Sequence, residues 1–304
     1  MSKKKFIVLC VLLFIQSGTL GAISAVTYTF SGGRFGDNLI AYSHAKWISY
    51  VHKIPLLCKS FPYSDQLMLD SIEQKYDERN NKNYKKVHVL KSRDFTIDAN
   101  ANILYVVPYF AESEYDLVDP HYPPYFSVDW NNQEFVNELK HCIKPKQAIS
   151  QIKTPEGYVS VAVHMRKGTG YDGTMFPMNC PHKSCPDSYY IEQLAKLADH
   201  FYNKQLLVHI FTDHDKPLEL VRLLNKKVGR KNITYECREK DNRHNNNVLE
   251  DFFGLTQFDC LLRSDSNFSL MASKLSNYMV HIYPVHYSKV GNEIVVDQVK
   301  VEIR

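Results

Sequence analysis

Tyr158-Val159-Ser160-Val161-Ala162-Val163-His164-Met165-Arg166-Lys167-Gly168-Thr169-Gly170 changes character at its middle. Tyr158 to Val163 is a valine-rich run, the composition of a buried strand. A histidine, an arginine, a lysine and two glycines follow it directly. In open α/β sheets, ligands bind outside the carboxyl ends of the strands. The segment therefore reads as a central strand that delivers polar groups to a crevice.

The flanking sequence gives the same class. Toward the carboxyl end, the pattern predicts a helix over Asp187 to Phe201, capped by Asp187, and a strand over Leu206 to Phe211. A helix over Pro217 to Leu224, a strand over Ile233 to Cys237 and a helix over Val248 to Leu262 come next. A short helix over Phe268 to Leu275 and strands over Met279 to Tyr283 and Ile294 to Ile303 complete the series. Strands alternating with helices imply a doubly wound sheet. Toward the amino end, Val26 to Phe30 reads as a strand, Ser31 to Gly36 as a glycine-rich turn, and Asp37 to His52 as a helix. Pro55 to Cys58 would be the next strand, which makes a second strand–turn–helix–strand unit. Ile103 to Val107 is another strand and Gln133 to Ile143 a helix, whereas Tyr76 to Tyr84 and Tyr115 to Tyr125 read as loops. Pro145 and the Pro155-Glu156-Gly157 turn bracket a boundary near residue 150. The layout is a leader over 1–25, a first domain over 26–150 and a second over 151–304.

The leader reads as an export signal. Lys3, Lys4 and Lys5 precede the apolar run Phe6 to Ile15, and Gly21, Ala22 and Ala25 supply small residues for cleavage. The run is shorter than the ~20 residues that span a bilayer, so no stable membrane span is expected; an uncleaved N-terminal anchor is the alternative. The chain is then secreted or lumenal. Without the three leader lysines, the 37 basic and 33 acidic residues come almost into balance. A nucleic-acid binder would carry a clear basic excess, so that class is excluded. Beyond Cys10, the cysteines are Cys58, Cys142, Cys180, Cys185, Cys237 and Cys260, an even set in an exported chain. Cys180 and Cys185 share a proline-flanked stretch and are the expected disulfide. A zinc site that adds His182, with His141 and Cys142, to Cys180 and Cys185 fits no common spacing, and no metal is expected. Asn232-Ile233-Thr234 and Asn267-Phe268-Ser269 match the glycosylation sequon.

Four polar clusters sit where ligands bind. Gly33, Arg34, Gly36, Asp37 and Asn38 follow the first strand, and His164, Arg166 and Lys167 follow the central one. Thr212, Asp213, His214 and Asp215 follow the next strand, and Ser266, Asn267, Phe268 and Ser269 open a helix. Arg166 offers a bidentate, permanently charged fork to a diphosphate. A helix amino terminus adds backbone N–H donors for an anion. Asp213 has the chemistry to accept from a base edge or ribose hydroxyls. Together these describe a pocket for a nucleoside diphosphate.

The same residues resemble the fucosyltransferase superfamily, which includes alpha-1,2- and alpha-1,6-fucosyltransferases and protein O-fucosyltransferases. Gly33 to Leu39 resembles its N-terminal Gly-Arg-Phe/Leu-Gly-Asn-Gln segment, and Val163 to Gly168 its His-x-Arg-Arg motif. Ile210 to Asp213 is similar to its Phe-Ser-Asp-Asp strand end, and Asp259 to Ser269 to its late Asn-Ser-Ser/Thr-Phe-Ser segment. Lys167 stands where the family has a second arginine, Thr169 where it has an acid, Asp37 where it has an asparagine, and His214 where it has a second aspartate. The resemblance implies an α/β, GT-B-like enzyme with two Rossmann-like domains facing a central crevice. It implies GDP-fucose as donor substrate, no further cofactor or metal, inversion at the anomeric carbon, and a glycan or glycoprotein hydroxyl as acceptor. The second domain would hold the nucleotide and the first the acceptor, with Gly33, Arg34, Gly36, Asn38, His164, Arg166, Lys167, Asp213, Ser266, Asn267, Phe268 and Ser269 as the donor-binding residues. Arg166 would stabilise the departing diphosphate, and Asp37 and Asp172 are the candidate bases. Asp213 and Asp215 also have the Asp-x-Asp spacing of metal-dependent transferases, which the surrounding motifs make a coincidence. The competing reading is a glycan- or nucleotide-binding protein with a decayed catalytic site. A kinase or sulfotransferase phosphate loop is absent from the sequence.

Overall fold

The computed structural model describes residues 23–90, 95–109, 128–167, 183–291 and 293–304. Residues 1–22 of the leader, Asp172, Cys180 and His182 lie outside these, and so does the predicted loop at Tyr115 to Tyr125. In the first half, β1 (Ala25–Tyr28) runs into α1 (Phe35–His52), followed by β2 (Leu57–Cys58), the single turn α2 (Leu69–Ile72) and β3 (Gln74–Lys75). Then come β4 (Lys86–Val89), β5 (Ile103–Val107) and α3 (Gln133–Ile143). β1, β5 and β4 form a parallel sheet in that order. A parallel bridge from Val26 to Leu56 joins β2 on the other side of β1, and β3 pairs with β2.

The second half contains β6 (Tyr158–Met165), α4 (Asp187–His200), β7 (Gln205–Thr212), α5 (Pro217–Val228) and β8 (Ile233–Cys237). It continues with α6 (Val248–Leu255), β9 (Cys260–Arg263), α7 (Asn267–Lys274) and the antiparallel pair β10 (Val280–Val290) and β11 (Glu293–Ile303). The sheet order is β11-β10-β9-β6-β7-β8. Its parallel strands therefore run outward from β6 in both directions, the doubly wound order of a Rossmann sheet. The order reverses between β6 and β9, so the crevice for a ligand opens at their carboxyl ends.

Two expectations need correction. Val248 to Leu262 is not one helix: α6 stops at Leu255, and Cys260 to Arg263 form β9 between β6 and β10. Apolar residues recur along the whole run, and periodicity does not separate a buried helix from a buried strand. Asp187 is not the cap of α4. Pro186 holds that position, and the Asp187 carboxylate instead accepts from Lys167 Nζ at 2.5 Å. The strand β4 and the short helical turns over Glu78–Asn83 also lie where the sequence predicts loop or nothing.

The core does not respect the boundary near residue 150. Leu39, Ile40 and Tyr42 of α1 belong to one apolar cluster with Phe211, Phe252, Leu255, Leu270 and Met271 of the second half. Burial of each such side chain stabilises by about 1.5–3 kcal/mol. The amino ends of α1 and α7 meet so closely that a Cβ on Gly36 would lie 2.5 Å from the Phe268 amide nitrogen. No described helix is long and apolar enough to cross a membrane.

Candidate functional site

The carboxyl ends of β1, β6, β7 and β9 open on one cavity of about 310 Å³. Its walls include Gly33, Arg34, Gly36 and Asp37 from the first half. His164, Arg166 and Asp213, with Ser266, Asn267 and Phe268, come from the second. Residues from all four polar clusters thus converge on one place.

Several buried contacts fix these strand ends. Tyr189 and Tyr190, adjacent at the start of α4, donate their hydroxyls to the carbonyls of Arg263 at 3.0 Å and His164 at 3.3 Å. Arg263 is almost wholly buried; its Nε donates to His281 Nε2 at 3.0 Å and its Nη1 to the Ser264 carbonyl at 3.2 Å. His281 in turn meets Glu302 at 3.1 Å. This chain ties the turn before α7 to the edge strand β11. A hydrogen bond from Lys167 N to Asp213 Oδ1, 2.6 Å, holds the ends of β6 and β7 together.

The first turn of α7 has N–H groups that no preceding carbonyl of the helix can accept from. Ser266, Asn267 and Phe268 of this turn line the same cavity as Arg166. His164 packs against the Phe268 ring, with centroids 5.8 Å apart. Burial, with the nearby Arg263 charge, pushes its imidazole pKa down to about 3, so the ring is neutral at physiological pH. Its Nδ1 is buried without a hydrogen-bond partner among the described residues.

Asp37 is fully engaged. Its Oδ1 accepts from Tyr109 Oη at 2.9 Å and from Asn267 Nδ2 at 2.8 Å, while its Oδ2 accepts from Arg34 N at 3.1 Å. The residue closes the amino end of α1 and reaches across to the second half.

Other predicted residues lie elsewhere. Lys167 turns its ammonium away to Asp187, so its side chain does not line the cavity. Asn38 and Ser269 are buried in the first turns of α1 and α7; Ser269 Oγ donates to the Ser266 carbonyl at 3.2 Å. His214 Nδ1 accepts from Lys216 N at 3.0 Å, and Asp215 is exposed outside the cavity wall. The Asp-x-Asp spacing therefore does not converge on the site. Both sequon asparagines are engaged: Asn267 Nδ2 with Asp37, and Asn232 Nδ2 with the carbonyls of Ala198, Phe201 and Lys204. Cys185 is buried beside α4, and its expected partner Cys180 lies outside the described residues.

The sequence did not reveal the outer lip. Pro62 and Tyr63 form one side, and Asn242, Arg243, His244, Asn245 and Asn246 the other. Tyr63 Oη donates to the Asn245 carbonyl at 2.9 Å, which bridges the two halves. Tyr63, Asp241 and Asn247 all have positive φ, at 71°, 58° and 50°. Strained backbone of this kind concentrates at ligand clamps. Asp251 also lines the wall, paired with Arg238 at 2.6 Å; burial nonetheless raises its carboxyl pKa. An asparagine-rich turn and an acid inside an apolar helix carry no recognisable spacing, so only the folded chain exposes their role.

No family model matches the chain, and no curated protein matches it. Among solved structures, it is similar to a mutant of Arabidopsis thaliana FUT1 in complex with GDP, at 12% identity over 88% of this chain and 71% of that one, TM-score 0.45. It is similar to POFUT1 in complex with GDP-fucose, at 9% identity over 85% of this chain and 95% of that one, TM-score 0.48. NodZ alpha-1,6-fucosyltransferase from Bradyrhizobium, co-crystallised with GDP, is similar at 11% identity over 92% and 98% of the two chains, TM-score 0.48.

Proposed function

We propose that the chain is a glycosyltransferase that uses a nucleoside-diphosphate sugar, with GDP-fucose as donor. The observation that supports this is the convergence of Gly33 to Asp37, His164, Arg166, Asp213 and Ser266 to Phe268 on one cavity at the switch point of a Rossmann sheet. The diphosphate would lie between Arg166 and the first turn of α7, where a permanent cation and backbone N–H groups face it. The nucleoside would extend toward Tyr63, Asp251 and the 242–246 loop, the part of the wall richest in amide and ring surface.

In this mechanism, an acceptor hydroxyl attacks the anomeric carbon from the face opposite the diphosphate. The bond from that carbon to the phosphate oxygen breaks, its electron pair stays on the diphosphate, and the proton of the acceptor hydroxyl is released to solvent water. Arg166 and the α7 N–H groups stabilise that growing charge, so they act more strongly in the transition state than in the ground state. Inversion follows from the single displacement. The chemistry requires neither metal nor cofactor when fixed cations meet the leaving group.

The test is release of GDP from GDP-fucose by the purified chain, with and without a mixture of glycan acceptors, alongside the Arg166→Ala variant. Release that depends on Arg166 supports the proposal. Tight GDP binding without any release, with or without acceptor, would assign the chain to the glycan- or nucleotide-binding class instead.

A further inference from the structure

We infer that Asp37 is a positioning residue that stands in for the ligand's charge: with Tyr109 and Asn267 it pins the amino ends of α1 and α7 together across the crevice. Its carboxylate bonds to both helix ends, through Arg34 N and Asn267 Nδ2. The inference rests on the diphosphate reading of the cavity.

The geometry has three parts. First, the three donors to Asp37 come from three separate segments. Arg34 belongs to the turn before α1, Tyr109 follows β5, and Asn267 is the first residue of α7. All three bonds measure 2.8–3.1 Å. Tyr109 is anchored in turn by its backbone N–H to Thr29 Oγ1 at 3.0 Å. Second, the helices approach backbone to backbone at Gly36 and Phe268, so the pin closes a joint that is already tight. Third, both helices present positive dipole ends and orphan N–H groups at this joint. Two such ends facing each other repel unless an anion lies between them. Asp37 supplies that charge permanently.

A carboxylate with both oxygens already accepting is a poor candidate to receive an acceptor's proton, so the base role expected for Asp37 gives way to this one. The same charge that preorganises the cradle must repel the diphosphate that enters it. Asp37→Asn separates the two effects. The asparagine Oδ1 still accepts from Tyr109 and Asn267, while the charge is gone; the cap on Arg34 N is lost. Asn267→Ala and Tyr109→Phe do the reverse, because they break the pin and keep the charge.

The experiment is calorimetric titration of the wild type and the three variants with GDP and, separately, with inorganic pyrophosphate, at low and high salt. Asp37→Asn is expected to bind both roughly three- to tenfold more tightly at low salt, with the gain shrinking as salt rises. Asn267→Ala and Tyr109→Phe are expected to bind both more weakly. Asp37→Asn binding equal to or weaker than wild type overturns the inference, and so does an increase in affinity when the pin is broken. If the wild type binds pyrophosphate but not GDP, the nucleotide reading fails and the pin is still measured. If it binds neither, the cradle itself is refuted.

Discussion

Gly36→Ala adds one methyl group at the place where the two halves touch. Gly36 is the second residue of α1, and its backbone lies against α7. A Cβ there would sit 2.5 Å from the Phe268 nitrogen, 2.6 Å from the Asn267 carbonyl carbon and 2.7 Å from the Phe268 Cα. All three are backbone atoms, so no side-chain rotation relieves the clash. On an exposed helical position the same substitution would stabilise by up to about 1 kcal/mol. Here α1 and α7 must separate by several tenths of an ångström, and overpacking of this kind costs about 1–3 kcal/mol. The separation also stretches the 2.8 Å bond from Asn267 to Asp37 and tilts the α7 N–H groups away from the cavity. We therefore expect a net loss of stability, about 2–4 °C of Tm per kcal/mol, together with weaker GDP binding. Differential scanning calorimetry and titration with GDP measure both. A Gly36→Ala protein as stable as wild type and with unchanged GDP affinity would refute the closed joint.

Arg166→Lys keeps a positive charge but loses the planar fork, so turnover should fall roughly 10²–10³-fold with little change in Tm; activity loss that merely tracks unfolding would contradict the role. His164 stays neutral when folded down to about pH 3 but protonates near its ordinary value of 6.5 when unfolded. The unfolded state therefore takes up the extra proton between those values, and stability should decline as pH falls through that window. Urea denaturation of His164→Asn should show a shallower decline; parallel curves would remove His164 as a cause. The Glu302 carboxyl is held well below its usual value, first by its hydrogen bond to His281 and then by Lys300 and Tyr283. Its contribution is present above about pH 4.5 and lost as pH falls further. It is modest, because the side chain is 40% exposed. Glu302→Gln should flatten the acid limb below pH 4.5, and an unchanged limb would refute the link.

The fold was legible wherever strand and helix patterns alternate with polar breaks. β5, α3 and β8 fall on the predicted residues because each is bounded by polar residues or glycine and proline turns. β9 was hidden, since Thr256-Gln257 is the only polar interruption between α6 and the next charged residue, Asp259. That omission matters, because β9 forms the other wall of the switch point and places Ser266 to Phe268. Within the site, Arg166, Asp213 and the α7 turn were readable because each ends a strand or opens a helix. Lys167 was misplaced because residues alternate in direction along an extended strand end, so the neighbour of a cavity-facing arginine points elsewhere. Tyr63 and Asn245 were invisible because their partnership exists only across the two halves, 182 residues apart in the chain.

Whether the cavity is a nucleoside-diphosphate site is decided by isothermal titration of the purified chain with GDP in the presence of EDTA, with UDP and CDP as comparisons. The expected result is one site per chain, binding of GDP without metal, and weakening of that binding by Arg166→Ala. Absence of binding by any nucleoside diphosphate, or binding unaffected by the loss of Arg166, would contradict it.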